Sequence, residues 1–230
     1  MEKGKFIVLE GLDGSGKSTQ TQLLTEAVQA KGINVEFIHF PRTDDSSPFY
    51  GPMLKRFLKG ELGSLNEVDP WFVALLFAGD RRNDAARIQS LLDKGTWVIA
   101  DRYVLSNIAF QGAKISSSAE KKQLAEWILH TEFDVFNLPV PDKTIFVHMP
   151  FSFCQQNVQN QRSGDDRAYL DGKADIHEAD DSFQKEVYAM YQFMLANPVF
   201  KLTELAVPDN GSVPSPAQIH AMLMSLIDFK

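Results

Sequence analysis

The chain has 230 residues, of which 44% are hydrophobic, enough to bury one sizeable core, so we expect a single domain over residues 1–230. Its net charge of −7 argues against a nucleic-acid partner, because polyanion binding depends on clustered Lys and Arg. The apolar runs are too short to cross a membrane. Cys154 is the single cysteine, so we expect a half-buried thiol, no disulfide within the chain and a reducing cytoplasm as the compartment.

The first 32 residues predict a strand, a glycine-rich loop and a helix. The run Phe6–Leu9 is continuously apolar, which is typical of a strand buried on both faces of a parallel sheet. The segment KSTQTQLLTEAVQAKG has apolar residues at helical spacing and stops at Gly32. Between them, the pattern G-x-x-x-x-G-K-[ST] is satisfied by Gly11, Gly16, Lys17 and Ser18.

This glycine-rich loop predicts a site for nucleotide phosphates. Glycines allow successive backbone N–H groups to point inward, and the following helix adds the positive end of its dipole. Lys17 supplies a mobile charge, and Ser18 offers a hydroxyl to Mg²⁺. We expect the β- and γ-phosphates of a nucleoside triphosphate to be held by Gly11, Leu12, Asp13, Gly14, Ser15, Gly16, Lys17, Ser18 and Thr19.

The rest of the chain alternates short apolar runs with helical patterns. Alternating strands and helices imply a parallel sheet with right-handed crossovers, so we expect an α/β fold with a five-stranded parallel sheet flanked by helices in three layers. The further strands are expected at 33–40, 96–102, 143–149 and 201–207. The further helices are expected at 70–94, 119–133, 151–160, 178–196 and 215–228, with one short helix within 47–63.

Two missing motifs narrow the class of phosphate chemistry. The chain has no N-K-x-D motif, which reads guanine in GTPases, and no apolar strand that ends in paired acids, as in ATPase motors. A small-molecule kinase remains, and such an enzyme needs arginines beyond the phosphate loop to hold a second anionic group. Arg42 and Arg102 follow predicted strands, at the sheet edge where ligands bind, and Arg81 stands one helical turn after Phe77.

Five segments taken together resemble the thymidylate kinase family. They are LEGLDGSGKSTQ, FPR, FAGDR, DRYVLSNIAFQG and a late polar loop that bears arginines, between about Lys5 and about Tyr191. The resemblance implies a P-loop kinase fold with a mobile lid, and transfer of the γ-phosphoryl group of ATP to dTMP with Mg²⁺ in a cytoplasmic homodimer. Another pyrimidine nucleoside monophosphate kinase, or a non-catalytic nucleotide-binding regulator, stays open as an alternative.

The resemblance also implies the residues that bind dTMP. Asp13 contacts the 3′-hydroxyl group of the sugar, and Arg42 contacts the acceptor phosphate. Phe77 stacks on thymine, while Arg81 donates to a base carbonyl. The remaining expected contacts are Phe40 and Pro41 beside Arg42, Arg102 between the two phosphates, Ser106, Asn107 at the N3 edge of the base, Phe110 near the 2′ position, and Gln111.

The expected catalytic groups neutralise charge rather than move protons, because the acceptor phosphate is already ionised near neutral pH. The resemblance assigns this role to Asp13, Lys17 and Arg102, and it places Asp101 near Mg²⁺. The catalytic arginine that one branch of the family carries in its P-loop is absent, since Gly14 and Ser15 stand there, so the lid at about 160–177 must supply it through Arg162 or Arg167.

The other polar residues are expected to have structural roles. The five histidines, His39 and His177 among them, show no metal-ligand spacing. Glu178 is expected to begin a helix, and Asp209-Asn210-Gly211 to form a surface turn.

Overall fold

The computed structural model describes residues 2–65, 67–160, 177, 181–208 and 213–229. These residues form one five-stranded parallel sheet and eight α-helices. The strands are β1 (Phe6–Glu10), β2 (Val35–His39), β3 (Trp97–Asp101), β4 (Lys143–His148) and β5 (Leu202–Ala206). The helices are α1 (Lys17–Ala30), α2 (Gly51–Leu58), α3 (Pro70–Asp93), α4 (Val104–Gly112), α5 (Ser118–Leu129), α6 (Phe151–Asn160), α7 (Asp181–Leu195) and α8 (Pro216–Ser225).

The sheet has the strand order β2-β3-β1-β4-β5, and every pair is parallel. Each residue of β1 and β3 is buried, because helices cover both faces of the central strands. Leu9 pairs with Asp101 in the register of these two strands, so the loops that follow β1 and β3 leave the sheet side by side. The predicted five-stranded parallel α/β sheet is therefore confirmed, and its carboxyl edge is where a ligand would bind.

Helix α4 was not among the predicted helices. All nine of its residues, Val104–Gly112, are buried, so no polar face reveals a helical period in the sequence. The first turn of α4 is capped by a buried carboxylate of β1, because Glu10 Oε1 accepts from the backbone N–H groups of Tyr103 and Ser106. A distant residue therefore caps this helix, and no local sequence signal marks its start.

Three helices have ends that differ from the predicted ones. The pattern 119–133 ends as an α-helix at Leu129, where a π-helical turn, His130–Val135, continues the chain. The helix expected at 215–228 ends at Ser225, and that expected at 178–196 is described from Asp181 to Leu195. Frayed or tightened last turns are the usual reason for such differences.

Helix α3 is the long helix that reaches the candidate site. Asp69 caps it, because its carboxylate accepts from the backbone N–H groups of Trp71 and Phe72, and Pro70 occupies the first helical position.

Cys154 on α6 is fully buried rather than half-buried, and burial raises the pKa of its thiol to about 12. Among the described residues, no helix is both long and apolar enough to cross a membrane.

Candidate active site

A cavity of about 850 Å³ opens at the carboxyl edge of the sheet. All of the residues predicted to bind dTMP line it, although they come from four separate parts of the chain. They are Asp13, Phe40, Pro41, Arg42, Phe77, Arg81, Arg102, Ser106, Asn107, Phe110 and Gln111. The fold thus brings the predicted acceptor residues together beside the glycine-rich loop that precedes α1.

The glycine-rich loop is held tightly against α6. Gly14 has a φ of +75°, and a Cβ atom placed there would lie 2.3 Å from the carbonyl oxygen of Cys154. The carbonyl of Gly14 accepts a hydrogen bond from Asn157 Nδ2 at 2.9 Å. Only a residue without a side chain fits this close approach, so the position requires glycine for steric reasons as well as for its positive φ.

Lys17 begins α1 and folds back over the loop. Its Nζ donates to the carbonyl of Leu12 at 2.7 Å, and the side chain is buried. Burial, together with the nearby Arg102, lowers the pKa of Lys17 from its ordinary value. Ser18 and Thr19 follow at the exposed start of the helix, where their groups can reach a phosphate or a cation.

Asp13 of the loop forms an ion pair with Arg102, which follows β3. Arg102 Nη2 lies 2.6 Å from Asp13 Oδ1, and Asp13 Oδ2 accepts from Gln184 Nε2 at 3.3 Å. Burial opposes ionisation of Asp13, but the charges of Arg102 and Lys17 outweigh it, so its pKa is lowered. Burial also opposes the charge on Arg102, yet Asp13 raises the pKa of its guanidinium, and both groups stay charged.

The Arg102 side chain spans the gap between the loop and the cavity. Its Nη1 donates to the carbonyl of Gly11 at 3.0 Å and to Ser106 Oγ at 3.2 Å. Its guanidinium carbon lies 5.0 Å from the ring centroid of Phe110. Arg102 has a φ of 66°, in the left-handed region that ordinary side chains seldom adopt. This strained backbone conformation directs the guanidinium into the gap between the glycine-rich loop and the cavity.

Arg42, the expected phosphate ligand, is held by two buried carboxylates. Its Nε donates to Asp80 Oδ1 at 3.1 Å, and its Nη1 lies 2.9 Å from Asp84 Oδ1. Its Nη2 donates to the carbonyl of Asp80, and its backbone N–H donates to Asp80 Oδ2. Arg42 is thereby fixed at the cavity wall, and a phosphate would compete with these carboxylates for its donors.

The base-reading candidates lie deeper in the cavity. Arg81 Nε and Nη2 donate to the two carboxylate oxygens of Glu132 at 2.5 and 2.7 Å. Asn107 Nδ2 donates to the carbonyl of Ala74 and to Glu132 Oε1, both at 3.0 Å. These bonds settle the orientation of the Asn107 amide, and its Oδ1 has no hydrogen-bond partner among the described residues. Phe77 packs edge-on against Phe57 and lines the same wall.

Asp101 at the end of β3 has the properties of a ligand for a cation. Its Oδ1 is buried and has no partner within the described part of the chain, and its Oδ2 lies 3.7 Å from His39 Nδ1. Burial raises its pKa, but the interaction with His39 and the charge of Lys17 lower it more, to about 2. No group of three or more His, Cys, Asp or Glu residues that could hold a metal occurs among the described residues. Mg²⁺ is usually held by one or two protein oxygens together with phosphates and water, and the unpartnered Oδ1 of Asp101 and the exposed Ser18 would fit that role.

Sequence reasoning gave no site role to several buried residues, and Glu10 and His177 are two of them. Glu10 accepts four hydrogen bonds and has no exposed surface, but a single acid at the end of an apolar strand gave no signal in the sequence. His177 was assigned a structural role, yet it lines the cavity with its ring stacked on Phe183 at 5.5 Å and beside Phe110 at 5.0 Å. Its carbonyl accepts from Gln184 Nε2 at 2.7 Å, which fixes it there.

Several predicted residues lie outside the described part of the chain. They are the lid candidates Arg162 and Arg167, most of the expected lid at 160–177, Glu178, and the turn Asp209-Asn210-Gly211.

Comparisons with known proteins identify the family of this chain. A family model described as thymidylate kinase matches residues 9–201. A thymidylate kinase of Plasmodium falciparum is 32% identical over 154 residues, which are 67% of this chain and 66% of that protein, so the chain spans slightly less than two thirds of this relative. A thymidylate kinase of Mycobacterium tuberculosis is 32% identical over 192 residues, which are 83% of this chain and 86% of that protein.

A solved structure extends the likeness to the fold. The thymidylate kinase from Candida albicans superposes with a TM-score of 0.70 at 26% identity, covering 98% of this chain and 91% of that one. The resemblance read from the phosphate loop and the arginine segments is therefore confirmed by the family match. The chain belongs to the thymidylate kinase family.

Proposed function

We propose that the protein transfers the γ-phosphoryl group of ATP to dTMP, giving dTDP. The observation that carries this proposal is the Asp13–Arg102 ion pair at 2.6 Å, because it joins the donor loop to the acceptor cavity. A nucleotide-binding regulator needs a donor loop but no second anion site, whereas a kinase needs both within the reach of one arginine. Its contacts with Asp13 and Gly11 support a role for Arg102 in binding the transferred group.

The base that fits the cavity is a pyrimidine with carbonyl groups. Asn107 Oδ1 is a buried acceptor without a partner among the described residues, so it suits the N3–H donor of thymine or uracil. Cytosine presents an acceptor at N3 and would leave both groups unsatisfied. Arg81 adds a donor at the same wall, where a base carbonyl can accept. This pair favours dTMP or dUMP over dCMP.

The acceptor phosphate is assigned to Arg42 and Arg102, and the sugar to Asp13 and Phe110. Arg42 and Arg102 face the cavity from the ends of neighbouring strands, so they can hold the acceptor phosphate near the donor loop. Phe110 lies beside His177 and lines the same cavity as Asp13. No general base is required, because the acceptor oxygen is already ionised.

Mg²⁺ and the lid complete the proposed site. Ser18 and Asp101 are the residues that would hold Mg²⁺, which neutralises the charge of the donor phosphates when it is bound. Lys17 neutralises the same phosphates from the protein side. Arg162 and Arg167 remain proposed as the lid arginines, since Gly14 and Ser15 offer no charge in the donor loop.

The proposal extends to a cytoplasmic homodimer. Phe72 and Leu75 lie one helical turn apart on α3 and are 49% and 43% exposed, so they form a pair of neighbouring apolar side chains at the surface. A second copy could cover this face. Sedimentation velocity of the purified protein tests the homodimer, and a monomer at every concentration would contradict it.

One assay tests the activity. Purified protein with Mg·ATP is offered dTMP, dUMP, UMP, dCMP, dGMP or thymidine, and ADP release is measured. We expect the highest kcat/KM with dTMP and little turnover with dCMP. The Candida albicans relative is described as having broad substrate specificity, so the dTMP/dUMP ratio is the measurement that separates a strict enzyme from a broad one. An absence of turnover with dTMP would contradict the proposal.

A further inference from the structure

A buried carboxylate, Glu10, lies behind the site without contacting the cavity. It is the last residue of β1, it has no exposed surface, and four donors surround its two oxygens. Oε1 accepts from the backbone N–H groups of Tyr103 at 3.0 Å and of Ser106 at 3.1 Å. Oε2 accepts from the hydroxyl of Tyr191 at 2.9 Å and from Ser106 Oγ. Burying a polar group is costly unless it is hydrogen-bonded, and these four bonds satisfy both oxygens of Glu10.

The bonds to Glu10 determine which way the Ser106 hydroxyl points. Ser106 Oγ donates to Glu10 Oε2, so the Ser106 hydrogen is directed at Glu10. The lone pairs of Ser106 Oγ are then left to accept from Arg102 Nη1, which lies 3.2 Å away. Glu10 thereby turns Ser106 into an acceptor for the guanidinium group of Arg102.

The same carboxylate also holds the backbone next to Arg102. Arg102 has a φ of 66°, and such a residue keeps its conformation only when its surroundings fix it. Its own N–H donates to the carbonyl of Leu9 at 2.9 Å, and the N–H of Tyr103 donates to Glu10. Arg102 is therefore anchored at its backbone by Leu9 of β1, and its guanidinium is held by Gly11, Asp13 and Ser106.

We propose that Glu10 is a positioning residue, which aims Arg102 at the transferred phosphoryl group through the Ser106 hydroxyl and the first turn of α4. This inference rests on the proposed kinase function, because Arg102 bridges donor and acceptor only in such a site. It changes the role of Ser106, which was expected to contact dTMP, to that of a link between Glu10 and Arg102. It also gives a function to Glu10, although Glu10 does not line the cavity.

Three variants test the link by kinetics. Ser106→Ala removes the hydroxyl that receives Arg102, and we expect kcat to fall about 10-fold while the KM for dTMP changes little, the size of one lost charge-assisted hydrogen bond. Ser106→Thr keeps the hydroxyl and should restore most of kcat. Tyr191→Phe removes a donor from the same carboxylate and a 3.1 Å contact with Ser106 Oγ, but it leaves the Ser106 hydroxyl in place for Arg102, so it should cost less than Ser106→Ala. Equal losses for Ser106→Ala and Tyr191→Phe, or no rescue by threonine, would overturn the proposal.

Hydrogen exchange supplies a measurement that does not depend on activity. In Glu10→Gln the amides of Tyr103 and Ser106 should exchange faster, while the amides of β3 keep their protection. Unchanged exchange of these two amides would contradict the role of Glu10 even if the enzyme lost activity. If the wild-type protein had no turnover with dTMP, the proposed function would fail, and the exchange result would still report whether Glu10 holds this turn.

Discussion

Arg81 and Glu132 form a fully buried ion pair, although they stand on α3 and on the turn after α5. Two parallel hydrogen bonds of 2.5 and 2.7 Å join them, and Glu132 has no exposed surface. Burial opposes the charge of Arg81, but Glu132 raises the pKa of its guanidinium. Because Glu132 also accepts from Asn107, one acid holds both of the side chains that are proposed to read the base.

Replacement of Glu132 by leucine should therefore damage stability and substrate binding together. Removing one partner of a buried pair leaves the other charge uncompensated, so we expect a loss of about 3–5 kcal/mol in the free energy of unfolding. Urea denaturation measures it. The double variant Arg81→Leu with Glu132→Leu removes both charges and should lose less than the sum of the single variants. Additive losses would show that the two residues do not act as a pair.

Asn107→Leu should reduce discrimination between pyrimidines. The substitution removes the buried acceptor Oδ1 that is proposed for the N3–H group, so kcat/KM for dTMP should fall about 10-fold, while that for dCMP falls less. The KM for ATP serves as the internal control and should stay unchanged. A ratio of dTMP to dCMP turnover equal to that of the wild type would contradict the assignment of Asn107.

Arg42→Ala and Lys17→Ala should affect opposite halves of the site. Loss of Arg42 should weaken dTMP binding about 10–100-fold with ATP binding nearly intact, because a charge-assisted contact to the acceptor phosphate is lost. Lys17→Ala should chiefly slow the phosphoryl-transfer step. Isothermal titration calorimetry for dTMP and ATP, together with single-turnover kinetics, separates the two effects.

The control for Arg42 must account for its carboxylate partners. Arg42→Ala removes the counter-charge of the buried Asp80, whereas Asp84 keeps its ion pair with Arg87, so part of the effect is structural. Arg42→Lys keeps the charge, and Arg82→Ala changes an exposed neighbour of Arg81 on α3. If Arg82→Ala weakened dTMP binding as much as Arg42→Ala, the acceptor-phosphate assignment would be wrong.

The amino-acid sequence predicted those parts of the site that local patterns encode. The glycine-rich loop, the strands and the arginines at strand ends follow from spacing and periodicity, and the family resemblance added the base and sugar contacts. Helix α4 escaped prediction because every one of its residues is buried. Glu132 and Asp84 escaped for another reason, since their importance lies in partners that are distant in the sequence.

Lys114 was likewise invisible in the sequence, and its environment predicts a dependence of stability on pH. It follows α4, its Nζ donates to Gln111 Oε1 at 2.7 Å, and it lies 4.6 Å from the ring centroid of Phe57. Burial lowers its pKa from 10.5 to about 7. Between these two values the unfolded chain binds a proton that the folded protein does not, so this lysine destabilises the fold most below pH 7 and least above pH 10.

The free energy of unfolding of the wild type, relative to that of Lys114→Met, should therefore rise as the pH increases from 7 to 10, by at most about 1.4 kcal/mol per pH unit for one proton. Urea denaturation at several pH values within this range measures the difference. Lys122→Met, an exposed lysine on α5, is the matched control and should run parallel to the wild type. A parallel curve for Lys114→Met as well would mean that the Lys114 amine keeps its ordinary pKa, and that the apolar contact with Phe57 does not exclude water from it.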